Sequence, residues 1–194
     1  MLTRFFAAIS LIFLGQVVFA QTSSTTPAQP VPNTKIEAFS SKTGIVIIKG
    51  FSAVGSVIGR GNVKIDVREF RDASSPNKGE YGIAIEVQEI GRLTRENRSF
   101  IDFDEIDSLI LGIDYLSKVT NSVTQLKNFE VAYRTKGDFV ITVYSDSTGG
   151  ISLAIDSGRI GKTTAFLKVT DLETLKTHIL EAKRLIESTR SSNK

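Results

Sequence analysis

The chain contains its own near copy. Gly150-Ile151-Ser152-Leu153-Ala154-Ile155-Asp156 matches Gly82-Ile83-Ala84-Ile85-Glu86-Val87-Gln88, and Gly158-Arg159-Ile160-Gly161-Lys162 matches Gly91-Arg92-Leu93-Thr94-Arg95. Ala165-Phe166-Leu167 and Leu172-Glu173-Thr174-Leu175 then follow Ser99-Phe100-Ile101 and Ile106-Asp107-Ser108-Leu109. A duplicated supersecondary unit exposes an apolar sheet face or helix stripe when alone, so two copies are expected to bury those surfaces against each other.

Periodicity supplies the content of each copy. Val63, Ile65 and Val67 alternate with Lys64, Asp66 and Arg68, the signature of a strand with one buried face. Phe139 to Val143 repeats this strand, and Lys136-Gly137-Asp138 repeats the turn Arg60-Gly61-Asn62. Gly44 to Phe51 reads as a buried strand, and Gly55 and Gly59 suggest a bulge or bend in its extension. Asp72 to Gly79 reads as a polar loop. After the strands, Ile106, Leu109, Ile110, Ile113 and Leu116 fall on one helical stripe, with Asp104 as its expected cap. Leu172, Leu175, Ile179, Ala182 and Ile186 form the second stripe, opened by the capping-box pattern Thr170-Asp171-Leu172-Glu173. The expected fold is α+β, an internal duplication of a four-stranded antiparallel sheet plus a helix. The copies span about 44–118 and 129–188 within one domain of 37–189. The outward residues Lys64, Asp66 and Arg68 become Val140, Thr142 and Tyr144 in the second copy, which predicts that its outer face is covered or used for binding.

The N-terminus has a different character. Arg4 followed by the apolar run Phe5–Phe19 and Val18-Phe19-Ala20 reads as a signal peptide over residues 1–20, so the mature chain is expected to be periplasmic or extracellular. Residues 21–36, rich in Ser, Thr and Pro, read as a flexible polar linker, and 190–194 as a disordered tail.

Composition narrows the chemistry. With no Cys there is no disulfide, thiolate nucleophile or sulfur metal site, and one His excludes a site built on two imidazoles. No cofactor and no metal site is expected. A formal charge of +3 is too small to require a polyanion partner. Asp156-Ser157-Gly158-Arg159-Ile160-Gly161-Lys162-Thr163 approaches a phosphate-binding loop. However, Asp156 stands where its first Gly belongs, and a strand pattern follows where a helix is needed. It is read as a β-turn, with no nucleotide bound. Asp102, Asp104, Glu105 and Asp107 lack calcium-loop spacing. His178 has no nucleophile motif to serve. Asn97-Arg98-Ser99 matches a glycosylation sequon.

The candidate ligand-binding residues are cationic and aromatic. Arg92, Arg95 and Arg98 occupy one turn region, and Arg159 and Lys162 its counterpart, so the two regions could form basic lips for an anion. The repeated four-strand-plus-helix arrangement resembles that of whirly-type and Pur-type single-stranded nucleic-acid binders. That resemblance implies a sheet face on which Tyr133, Tyr144 and Phe70 alternate with Arg134, Arg68 and Lys64. Export and the modest charge weigh against nucleic acid. Asp66, Glu86, Asp102 and Asp156 would serve an acid–base enzyme if two of them converged. Electrostatic docking of the basic turns on a membrane surface is a third reading. The leading expectation is an exported, non-catalytic binding module for a protein or an anionic ligand.

Overall fold

The alternating pattern of Val63, Ile65 and Val67 becomes the second strand of a four-stranded antiparallel sheet in the computed structural model. The structure describes residues 31–192, so the signal pattern and most of the polar linker lie outside the described residues. Sheet 1 runs in the order β1 (Ile47–Gly59), β2 (Gly61–Asp72), β3 (Ser75–Glu89), β4 (Arg95–Asp102). Sheet 2 repeats it with β5 (Glu130–Arg134), β6 (Val140–Ser145), β7 (Ile151–Ser157), β8 (Thr163–Leu167). A helix follows each sheet, α2 (Ile106–Leu116) and α3 (Asp171–Ser192), and a short helix α1 (Lys35–Ser40) precedes them all. The fold is therefore a duplicated α+β arrangement.

Strand pairing fixes how the copies correspond. Ile101 pairs with Ile83, and Leu167 with Leu153, while Ile101 and Leu167 each lie five residues before the first buried helix residue, Ile106 or Leu172. The equivalent of Ile83-Ala84-Ile85-Glu86-Val87 is thus Leu153-Ala154-Ile155-Asp156-Ser157. This corrects the sequence alignment of β7 by two residues. The sequence match at Gly82 and Gly150 hid the slip, because a two-residue shift preserves which face each side chain takes. For β2 and β6 the pairings Ile65 with Ile85 and Ile141 with Ile155 confirm the expected match of Ile65 to Ile141.

The helices are exchanged between the copies. Helix α3 packs on β1, β2 and β3 of sheet 1, whereas α2 packs on β5 and β6 of sheet 2, and the two helices touch. One continuous core results, joining Ile65, Ile83, Ile85 and Ile101 to Phe139, Ile141, Leu153 and Ile155 through both helix stripes. Fully burying a side chain of this size contributes about 1.5–3 kcal/mol, and each helix delivers its share to the opposite sheet. The β1–β2 and β5–β6 hairpin tips also reach across. Backbone bonds join Arg60 to Phe166 of β8, and Gly137 presses so closely on the Phe100 carbonyl of β4 that a Cβ there would collide with it.

Several expectations about single elements are corrected. The Gly44–Phe51 stretch enters an edge strand at Ile47 and is not a buried strand: Val46, Ile48 and Phe51 are exposed, and among the described residues β1 has a strand neighbour in its sheet only on its β2 side. The expected bulge is present as a register shift between Ala53 and Gly55. The loop at 72–79 shrinks to a tight turn, since β2 extends to Asp72 and β3 starts at Ser75. Asp104 makes no cap. The chain enters α2 through a 3-10 turn, Phe103–Glu105, and Asp104 instead pairs with Lys35. The linker ends earlier than 36, because Thr34 and Glu37 form a reciprocal capping box for α1 and Ile36 is fully buried. The tail is helical to Ser192, with the Arg190 guanidinium 4.5 Å from the Phe103 ring centroid.

Candidate binding face

The inner faces of both sheets are filled by the exchanged helices, so any ligand surface must lie outside them. Even-numbered residues of β2, β3 and β4 point outward from sheet 1, and that face is closed in two ways. At one end Lys64 and Arg98 both pair with Glu86, while Arg68 pairs with Asp66 at 2.7 Å and stacks over Phe51. At the other end α1 lies across the strands. Ile36 and Phe39 form a second small core with Phe70, against which Ile47 and Phe100 pack. The Lys35 and Ile36 N–H groups donate to the buried Asp102 carboxylate at 2.8 and 3.2 Å, and so anchor the helix start.

Among the described residues no helix lies across the outer face of sheet 2, which has ion pairs of its own in Lys162–Asp156 and Arg134–Asp138. Its outer face has a floor of Val140, Thr142 and Ala154, which are small and sunk between taller neighbours. Tyr144 and Phe166 stand on the floor as aromatic walls, with Arg134, Glu130 and Lys162 along the edges. The hollow between them measures about 420 Å³. A second groove of about 570 Å³ continues from Tyr144 and Phe166 past Ser152 to Arg60, Lys168 and Asp171. Phe166 is 41% exposed, although its counterpart Phe100 is packed beneath α1.

The predicted residues differ in where they lie and in what they touch. Tyr144 and Arg134 do reach the open face, with Lys162 at its rim. Tyr133 does not, because its ring lies on the inner side against Gly112 of α2, where burial and then the nearby Glu105 carboxylate push its hydroxyl pKa upward. Phe70 is likewise lost to the small core under α1. The basic turn residues are mostly engaged, Arg95 with Glu89, Arg98 with Glu86, Arg159 with Asp138 and Lys162 with Asp156, and Arg134 of β5 also pairs with Asp138. Arg92 is exposed in its turn. The Asn97 amide donates to the Ile160 and Gly161 carbonyls, which ties the second basic turn to β4. The residues resembling a phosphate loop form the β7–β8 turn and run straight into strand.

The four carboxylates considered for acid–base work each have a partner. Asp66 pairs with Arg68, Glu86 with Lys64 and Arg98, and Asp102 holds α1. Asp156, on the other sheet, pairs with Lys162 at 2.8 Å and accepts from the Thr164 hydroxyl at 2.6 Å. Asp146, beside the open face, is tied by its side chain to Thr148, Gly150 and Ser152, and those bonds hold its pKa below the usual carboxylate range. Among the described residues no group of three or more His, Asp or Glu is placed to hold a metal ion. No described helix is long and apolar enough to cross a membrane. The chain matches no protein-family model and no curated protein.

Sequence reasoning missed α1 and the groove beside Lys168. The helix had a usable signal, Thr34-Lys35-Ile36-Glu37, a capping box leading into an apolar pair at Ile36 and Phe39. The groove had none, since Arg60 and Phe166 are remote in sequence and meet only through an isolated bridge between the β1–β2 turn and β8.

Proposed function

We propose that this protein is an exported, non-catalytic binding module whose ligand surface is the outer face of sheet 2. One observation carries this reading. Two sheets of the same topology have been treated differently, one outer face being covered by α1 and the other left without a helix as an aromatic-walled hollow. An uncovered face of this composition would gain from excluding water, and Thr142, Thr164 and Tyr144 place hydroxyls beside the apolar floor to orient what binds.

Amide-shift mapping by NMR with a fragment library tests the surface. Binders are expected to shift Ala132, Val140, Thr142, Ala154 and Phe166 together, and Thr142→Arg, which fills the hollow, is expected to abolish those shifts. Binders that act only elsewhere on the protein would overturn the assignment. Export rests on the Met1–Ala20 pattern. Mass spectrometry of the native protein is expected to show Gln21 at the N-terminus, and an intact chain retained in the cytoplasm would refute it.

A further inference from the structure

The groove beside β8 has an occupied counterpart in the same molecule. Carrying the strand registers across, Phe166 stands where Phe100 does, Ser152 where Gly82 does, and Lys168 where Asp102 does. On sheet 1 this position holds a peptide segment, α1, whose Ile36 lies over Gly82 and whose first N–H groups are held by Asp102. On sheet 2 two of the three contacts have changed. Ser152 puts a side chain where Ile36 needs bare backbone, so a close copy of α1 does not fit there. Lys168 replaces a carboxylate with an ammonium, so the end of the site that receives amide donors on sheet 1 is built for an acceptor on sheet 2.

A second cation reinforces that reversal. Arg60 comes from the other half of the chain and lies 5.6 Å from the Phe166 ring centroid. Arg60 and Lys168 form no ion pair among the described residues, in contrast to Arg95, Arg98, Arg134, Arg159 and Lys162 on the same molecule. Among the described residues one carboxylate lines the groove, that of Asp171, which accepts from the Lys168 backbone N–H at 2.9 Å. Two cations therefore face one carboxylate around an exposed aromatic ring, a combination suited to an apolar group next to a negative charge.

We propose that this groove binds a peptide segment of a partner protein, in the place that α1 takes on sheet 1, through an apolar side chain on Phe166 and a carboxylate at Lys168 and Arg60. The proposal rests on the reading of the sheet 2 outer face as a ligand surface and names the class of ligand.

Selection of a phage-displayed library of random peptides on the full chain tests it. Enriched peptides are expected to join Asp or Glu to an aromatic or aliphatic residue, and the synthetic peptide is expected to shift the amides of Ser152, Phe166 and Lys168. Lys168→Asp, a surface change that should leave the melting temperature unaltered, is expected to weaken that peptide about tenfold. The same variant is expected to favour the peptide in which Lys replaces the acid. Enriched peptides without acidic preference, or an affinity indifferent to Lys168→Asp, would overturn the proposal. So would displacement of the peptide by oligothymidylate that binds the groove more tightly. Fragments that still shift Val140 and Thr142 while no acidic peptide binds would overturn this ligand class and leave the binding face standing. No shift anywhere on sheet 2 would remove both.

Discussion

The two halves differ most instructively where each helix crosses the opposite sheet. By the strand and helix registers, Gly112 of α2 is the counterpart of His178 of α3, and Tyr133 of β5 that of Gly55 of β1. Gly112 lies against the Tyr133 ring, and Gly55 against the His178 ring, so closely that a Cβ on either glycine would collide with the ring. The large side chain has thus changed sides, sitting on the strand in one half and on the helix in the other. Close approach is kept because each crossing holds one ring and one glycine, and interiors tolerate redistribution of volume better than addition of it. The buried Ser99 and Ser157 hydroxyls, 2.9 Å apart, show the same drift, since by strand register the matching positions in the other copy are Ala165 and Val87.

The exchange of helices between sheets gives the largest expected effect. Residues 1–122 and 123–194, made as separate chains cut in the exposed connector, should each lack stable tertiary structure, and should recover a cooperative melt on mixing. A stable fold from either fragment alone would break the comparison, because each sheet would then have found cover without its partner's helix.

The ring-and-glycine crossings come next. Gly55→Ala and Gly112→Ala should each destabilise by about 1–3 kcal/mol in urea unfolding, the usual cost of overpacking. Shortening the opposing ring, in His178→Ala or Tyr133→Ala, should recover part of that loss. Both double-mutant cycles should show coupling of at least about 0.5 kcal/mol. Additive changes would mean that the glycines do not serve the crossings.

Phe100 and Phe166 sharpen the contrast between the outer faces. Phe100→Ala removes a ring packed under α1 and should cost about 1.5–3 kcal/mol, with faster hydrogen exchange in Lys35–Ser40. Phe166→Ala should stay within about 0.5 kcal/mol, as surface substitutions do. Equal losses would show that sheet 2's face is already covered.

The smallest effect is electrostatic. Burial raises the Glu86 pKa, but the hydrogen bonds and charges of Lys64 and Arg98 outweigh it, and the net shift is downward. A depressed carboxylate pKa stabilises the fold above the unfolded value of about 4.3, and that contribution disappears as pH falls through the folded value. Glu86→Gln should therefore cost about 1 kcal/mol or less at pH 7, with both cations largely solvated, and the difference from wild type should close in acid. A gap that widens as pH falls would contradict the sign.

Duplication, the α+β class and both helix stripes were legible in the residues, because periods of two and of 3.6 are local properties. The turn read at Arg60-Gly61-Asn62 shrinks to Arg60, since Gly61 and Asn62 already belong to β2, whereas Lys136-Gly137-Asp138 is a turn. The change of Lys64, Asp66 and Arg68 to Val140, Thr142 and Tyr144 likewise marked sheet 2 as the divergent face. Tyr133 shows the limit. Its place in the alternating pattern could not reveal that a glycine on another copy's helix would receive it. Register within the repeat, the exchange of helices, the burial of Phe70 and the meeting of Arg60 with Phe166 and Lys168 were decided only by tertiary structure. Sequence determines which face a side chain takes through local geometry, whereas what lies opposite that face depends on segments brought together by long-range packing.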